Sequence, residues 1–334
     1  MKRKYFFLLL FTILYTKNFF SLDLNLFFTP EFSIRSGKTK ESLYFSNNSD
    51  SSKKCSLLEW NEKNVIQIGL KSEIEFYTKT SEIFGILNSI SISLPYNNGN
   101  MTDSDWNTEG LKFNYSIFCA NITYKDFSDI FKNFDTSINI FYKKKIKDFF
   151  AIRPYMKFSY SSVFFNGKDG YGWYGSSNWT SDQKEHSWND DEAHYFPDGK
   201  YKLANIDYQS QVIAIFQGFS IYFYLSKYMD IFIGTDVSPY TFVIASDRHY
   251  PNKYETKDYI NIIFGNYNFY TGFNIKLLEK ISFNFKGTYS NIKHSKGDEY
   301  KIYDKTGKKE LINQKSGYSY SGMTCSVGFK FLIF

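Results

Sequence analysis

Two short clusters hold the residue types that activate water: Asp103-Ser104-Asp105-Trp106 and, far downstream, Asp247-Arg248-His249-Tyr250. In each, two polar groups stand at i and i+2, so on an extended backbone they project from one face and meet one reactant. Three carboxylates and an imidazole can thus surround a single water. His249 is the member whose ordinary pKa lies near neutrality. A carboxylate beside it stabilises the protonated ring and orients it, which makes His249 the candidate general base and Asp247 its partner. If Asp103 and Asp105 lie close together, they do not both ionise freely, so one keeps a proton to donate to the water or to a developing oxyanion. Either of the two fits that role. Taken alone, Asp103-Ser104-Asp105 is also ordinary polar-loop chemistry.

The elements that must position these residues show in composition and periodicity. The chain has 334 residues, with 36 Phe, 29 Tyr and 5 Trp against only 6 Pro, and its mean hydropathy is −0.40. So many aromatics in a mildly polar chain suit a thin apolar band around a wet interior. Met1-Lys2-Arg3-Lys4, the apolar run Tyr5 to Tyr15, then Lys17 and Phe20-Ser21 read as a signal peptide over residues 1–21. The run is too short to span a bilayer, and no small-x-small pattern fixes the cleavage point. Beyond it no run approaches spanning length, which leaves a β-barrel over 22–334. Cys55, Cys119 and Cys325 form neither a disulfide framework nor a metal motif. Cys55 and Cys119, both expected in outer loops, either pair or remain isolated thiols. The net charge of +6 comes from lysines scattered through loops and turns, such as Lys143-Lys144-Lys145, without the contiguous face that nucleic acid needs.

Apolar residues alternate with small or polar ones at Ile90, Ile92 and Leu94, at Ile138 and Ile140, and at Ile281, Phe283 and Phe285. This pattern predicts an all-β, ten-stranded antiparallel transmembrane barrel, with strands near 22–35, 57–77, 83–96, 128–145, 149–165, 203–224, 228–244, 258–276, 280–294 and 316–334. Short turns follow the even strands and long polar loops the odd ones. Both acidic clusters then fall on one rim, at the starts of loops 2 and 4. In the last strand Phe329 and Phe331 are out of phase with Phe334, which predicts a bulge or fraying near Ile333.

Five strings carry a family resemblance: Ser36-Gly37-Lys38-Thr39-Lys40-Glu41, Leu58-Glu59-Trp60, Gly99-Asn100-Met101-Thr102-Asp103-Ser104-Asp105-Trp106, Phe196-Pro197-Asp198-Gly199 and Ser246-Asp247-Arg248-His249-Tyr250. In this order, with this strand count, the chain resembles the omptins, ten-stranded outer-membrane aspartyl-type endoproteases. The resemblance implies two dyads facing across a crevice, Asp103 with Asp105 and Asp247 with His249, and a water between them as nucleophile without an acyl-enzyme. It implies no cofactor, a monomer in outer-membrane lipid, and peptide or protein substrates met at the cell surface.

Glu41 matches the loop 1 acid that helps bind a Lys or Arg before the scissile bond. The family's second pocket acid falls at Ala245, so a cation is expected to meet one carboxylate instead of two, with weaker selectivity for basic residues. The two arginine positions of the family's lipopolysaccharide site are here Ser162 and Gln211, which argues against dependence on that lipid. Loop 3 gathers His186, Asp190, Asp191, Glu192 and His194, zinc-binding residue types without a compact zinc spacing, and reads as a solvated loop. Its aromatics Tyr171, Trp173, Tyr174, Trp179 and Trp188 also suit the alternative of a non-enzymatic adhesin or binding barrel. A porin is disfavoured, because ten strands leave little room beside the inward side chains.

Overall fold

The computed structural model describes residues 23–46, 53–78, 82–197, 206–249 and 254–333. The expected signal peptide, Asp198, Gly199, Tyr250 and Phe334 lie outside the described residues, as does the side chain of His249. Fourteen strands run in order: β1 (Asp23–Tyr44), β2 (Lys54–Tyr77), β3 (Glu82–Ser93), β4 (Tyr96–Trp106), β5 (Lys112–Ile122), β6 (Phe134–Lys147), β7 (Phe150–Tyr174), β8 (His194–Phe196), β9 (Ile206–Tyr224), β10 (Met229–His249), β11 (Tyr254–Ile262), β12 (Asn266–Leu278), β13 (Ile281–Tyr303) and β14 (Lys309–Leu332). Every pairing is antiparallel, and β1 bonds both β2 and β14, so the sheet closes on itself. Closure leaves no unpaired edge, as a bilayer requires.

The fourteen strands make ten staves, because β3 continues as β4, β5 as β6 and β11 as β12, while β8 is a short strand on β7. Each interruption has a local cause. Pro95, between β3 and β4, has no N–H for the ladder. The strand expected over 128–145 starts only at Phe134, since residues Phe127–Lys132 wind into a 3-10 turn. Asp126 caps that turn and Asp129 reciprocates, a capping box that outweighs the alternation around it. Between β11 and β12 the chain kinks at Phe264, whose φ is 50°, just before Gly265.

Alternation then divides the wall into two faces. Ile66, Ile68 and Leu70 on β2, Ile138 and Ile140 on β6, Met156 and Phe158 on β7, and Ile231 and Ile233 on β10 are exposed outward and form the apolar belt. The lumen within the belt is crossed by ion pairs: Arg35 to Glu62 at 2.7 Å, Lys157 to Asp236 at 2.7 Å and Arg153 to Glu73 at 3.3 Å. They leave interior cavities of about 450 and 330 Å³. At the last strand the ladder stays regular to Leu332, and the Ile333 N–H donates to Leu26 O at 2.8 Å. No bulge occurs there among the described residues; the strand ends at Leu332, and Phe334 lies outside them.

At the upper rim, where the connections 107–111 and 304–308 lie, two strands run past their expected ends: β1 continues to Tyr44 and β10 to His249, where 35 and 244 were expected. β7 has 25 residues and β2 and β14 have 24 each, against the roughly 9–11 that cross a bilayer. The acidic clusters are accordingly on strand extensions, within β4 and at the end of β10, and not at loop starts.

Candidate active site at the upper rim

Where the extensions rise above the belt, the lumen fills with an apolar plug that includes Met101, Phe118, Ile122, Phe165 and Val243. At its centre Trp60 is fully buried, stacked between Phe165 (ring centroids 5.6 Å) and Tyr208 (5.2 Å). Trp60 arrives there because Thr39 and Met101, its partners on β1 and β4, share its inward phase. The Trp60 Nε1 and Tyr208 OH groups have no hydrogen-bond partner among the described residues, although both residues are buried. Two stacked aromatic planes with buried polar edges thus underlie the strands that carry the two acidic clusters.

One wall is β4. Asp103, two residues past Met101, lies opposite Leu58 on β2 and Ser116 on β5. Asp105 lies opposite Ser56 and Asn114, and accepts a hydrogen bond from Asn114 Nδ2 at 3.1 Å. Both carboxylates are half-buried and in phase with Met101, as i and i+2 dictate. Lys112 lies over the rings of Tyr115 (3.9 Å) and Trp188 (5.1 Å). Burial lowers its ammonium pKa, while Glu59, Asp103 and Asp105 pull it back up. Tyr115, Trp173 and Trp188 pack on one another beside it, and Tyr195 extends the shelf.

The other wall is β10. Asp247, only 7 % exposed, lies opposite Tyr208 on β9 and Thr256 on β11. Arg248 pairs with Asp304 of the last upper connection and ties down the strand end. His249 closes β10 in register with Ile206.

Glu41 lies opposite Leu58 and Tyr318, so Glu41, Leu58 and Asp103 form one row across β1, β2 and β4. It is not the lone acid the sequence suggested. Asp258 on β11 and Glu299 on β13 join it, buried to 1 % and 3 % exposure beside its own 3 %. Burial first, then the charges of Asp247 and Asp258, push the Glu41 carboxyl well above its ordinary range. Burial and Asp247 raise Asp258 to about 7. Burial, then Asp258 and Asp247, raise Glu299 to about 8 against the pull of Lys301. Tyr208 is held neutral by the same burial and the same acids. A cleft of about 300 Å³ opens beside Asp247, with Glu41 and Glu299 in its lining.

The cysteines are free thiols, so the pairing of Cys55 with Cys119 is not made. Cys119 faces outward, whereas a bulge between Ser56 and Lys54 turns Cys55 toward Gln314, whose Nε2 donates to Sγ at 3.0 Å. In loop 3 His186 sits between Asp182 (3.0 Å) and Asp190 (3.6 Å), while His194 packs on Phe196. Ser162 and Gln211 are direct partners across β7 and β9, and the Ser162 hydroxyl donates to Lys132 O of the 3-10 turn.

The model of the Omptin family matches residues 28–333, from the first strand to the end of the last. The chain belongs to this family. It is thereby an outer-membrane barrel of a protease family, as its five strings implied. The structure of the outer membrane protease OmpT from Escherichia coli superposes with a TM-score of 0.72 at 17 % identity, covering 92 % of this chain and 97 % of that one. The toluene transporter TodX of P. putida (TM-score 0.31, 7 % identity, 92 % and 90 % covered) and the translocator domain of NalP from Neisseria meningitidis (0.31, 8 %, 92 % and 88 %) are more distant. A search of curated protein sequences finds no match. Against the omptin strings, sequence reasoning missed Tyr208, Asp258 and Glu299. Asp258 and Glu299 carry no string of their own and come into view only through the pairings β10–β11 and β11–β13.

Proposed function

We propose that this omptin is an endopeptidase that hydrolyses peptide bonds of surface-exposed substrates, using a water activated between Asp103/Asp105 and Asp247/His249. The observation that carries the reading is that Asp103 and Asp247 flank one aromatic floor. Asp103 is in phase with the partner of Trp60, Asp247 is the partner of Tyr208, and those two rings stack at 5.2 Å. In this reading His249 takes the water's proton, Asp247 orients and stabilises the imidazolium, and the Asp103/Asp105 pair shares a proton toward the oxyanion. Attack by water makes the reaction a single displacement without an acyl-enzyme. The crevice opens on the extracellular side, where the long upper connections belong in bacterial barrels. Refolded protein incubated with a peptide library, with cut positions read by mass spectrometry, tests the reading; intact peptides throughout would remove it.

A second reading, a binding barrel, is favoured by the shelf of Tyr115, Trp173, Trp188 and Tyr195. It predicts that an Asp103→Ala variant binds cells or matrix as the unmodified protein does.

A further inference from the structure

The three interrupted staves leave pieces of nearly one length below their breaks: β3 has 12 residues, β6 has 14 and β12 has 13. At about 3.3 Å per residue and a tilt of about 35–45°, such pieces climb roughly 30–35 Å from the lower turns. The lipid-facing band of a bacterial barrel is about 25 Å tall. All three breaks therefore fall at one level, just above the band. The exposed belt agrees, since Ile90 on β3, Ile138 and Ile140 on β6 and Phe269 on β12 all lie below them.

At two of these breaks the backbone leaves the ladder and carries large apolar side chains outward. The 3-10 turn Phe127–Lys132 lies against the outer face of β7, where the Ser162 hydroxyl donates to Lys132 O and the Phe164 N–H to Asn133 Oδ1, both at 2.9 Å. Ser161 bonds Asp135 on the lumen side, so Ser162 next to it faces out. On this turn Phe127 and Phe131 are 75 % and 58 % exposed. Phe131 meets Phe134 edge-on, and Phe134 packs on Tyr160, two residues above the belt residue Phe158. At the β11–β12 break Ile263 and Phe264 are 72 % and 66 % exposed. Phe264 holds the left-handed φ of 50°, which a bulky side chain adopts only at a cost.

The two breaks are on the fourth and eighth of the ten staves, so the apolar pairs stand on well-separated sides of the barrel. Four such side chains are unfavourable in water, and their surface is continuous with the belt that meets acyl chains. Aromatic girdles of barrels project from the strands. These side chains ride on backbone that has left the strands.

We propose that the two stave breaks are lipid anchors: Phe127 with Phe131, and Ile263 with Phe264, enter the boundary between headgroups and acyl chains of the outer leaflet. Gripping from two sides, they hold the barrel at a fixed depth, and the upper wall with both acidic clusters keeps a constant height above the lipid. The proposal goes beyond the peptidase reading and is independent of it.

Nitroxide quenching of a single fluorophore reads that depth. Each protein carries Cys55→Ser, Cys119→Ser and Cys325→Ser, has one position changed to cysteine and labelled with NBD, and is refolded into phosphatidylcholine vesicles. Ser128→Cys on the turn and Ile263→Cys at the kink should be quenched most strongly by lipids whose nitroxide lies close to the headgroup. Ile138→Cys in the belt should be quenched most by lipids labelled deep in the chain, and Asn189→Cys in loop 3 by neither. Adding Phe127→Ser and Phe131→Ser should abolish quenching at Ser128→Cys and preserve it at Ile138→Cys, which reports that the barrel is still inserted. Labels at 128 and 263 no more quenched than Asn189→Cys, or quenching at 128 that survives loss of both phenylalanines, would overturn the proposal.

Discussion

Asp103 and Asp247 stand on different strands, and each is placed by its cross-strand partners and not by its own loop. The proposed reaction gives each carboxylate a separable role. On the proposed mechanism Asp103→Ala and His249→Ala each remove a participant in proton transfer, so kcat/KM on a fluorogenic peptide is expected to fall on the order of 10²–10⁴-fold, with the barrel's circular dichroism unchanged. At this scale the sequence was highly legible, because the i, i+2 pairs and the strings around them are local. Asp258 and Glu299 were not, since an isolated Asp in Lys257-Asp258-Tyr259 looks like any strand residue until its partners are known. The reading made from Glu41 and Ala245 left them out for that reason.

The sequence pattern covered β2 and β9 nearly whole but lost the upper ends of β1 and β10. Near the rim the inward positions of β1 and β4 include Thr39, Glu41, Asp103 and Asp105, so the climb of these strands left a weak period-2 signal, and the acidic clusters looked like loops. Trp60 is the element-scale keystone, its ring held between β7 and β9. Trp60→Ala should lower unfolding stability by about 3–5 kcal/mol and weaken peptide cleavage in proportion to the collapse of the floor; a thermal melt in micelles checks the first effect.

The acid cluster spanning β1, β10, β11 and β13 adds a pH dependence. Facing it are Tyr208, Tyr254, Tyr318 and Lys301 besides Glu41, Asp247, Asp258 and Glu299 themselves. Asp258 and Glu299 rise from 3.8 and 4.5 to about 7 and about 8 on folding. The folded state therefore holds more protons than the unfolded one between those limits, and stability falls as pH rises from about 4 through about 8. Melting midpoints recorded across this range should decline for the unmodified chain and decline less for Glu299→Gln.

At the scale of the whole molecule, ring closure and the ion pairs across the lumen tie the staves to one another. Arg35 is buried against Glu62 at 2.7 Å. Arg35→Ala, which strands that carboxylate, should cost about 3–5 kcal/mol, seen as a lowered unfolding midpoint. The strand number and closure were legible, because each stave carries its own belt segment. The breaks near Phe127 and Phe264 were not, because caps and a single positive φ override alternation locally. The account as a whole requires that the two walls act on one substrate. Its most direct test is mass-spectrometric mapping of the cuts that the unmodified chain and its Asp103→Ala variant make in a peptide library. Cuts concentrated after Lys or Arg, and absent from the Asp103→Ala digest, are the predicted result; identical digests from the two proteins, or no cuts from either, would contradict it.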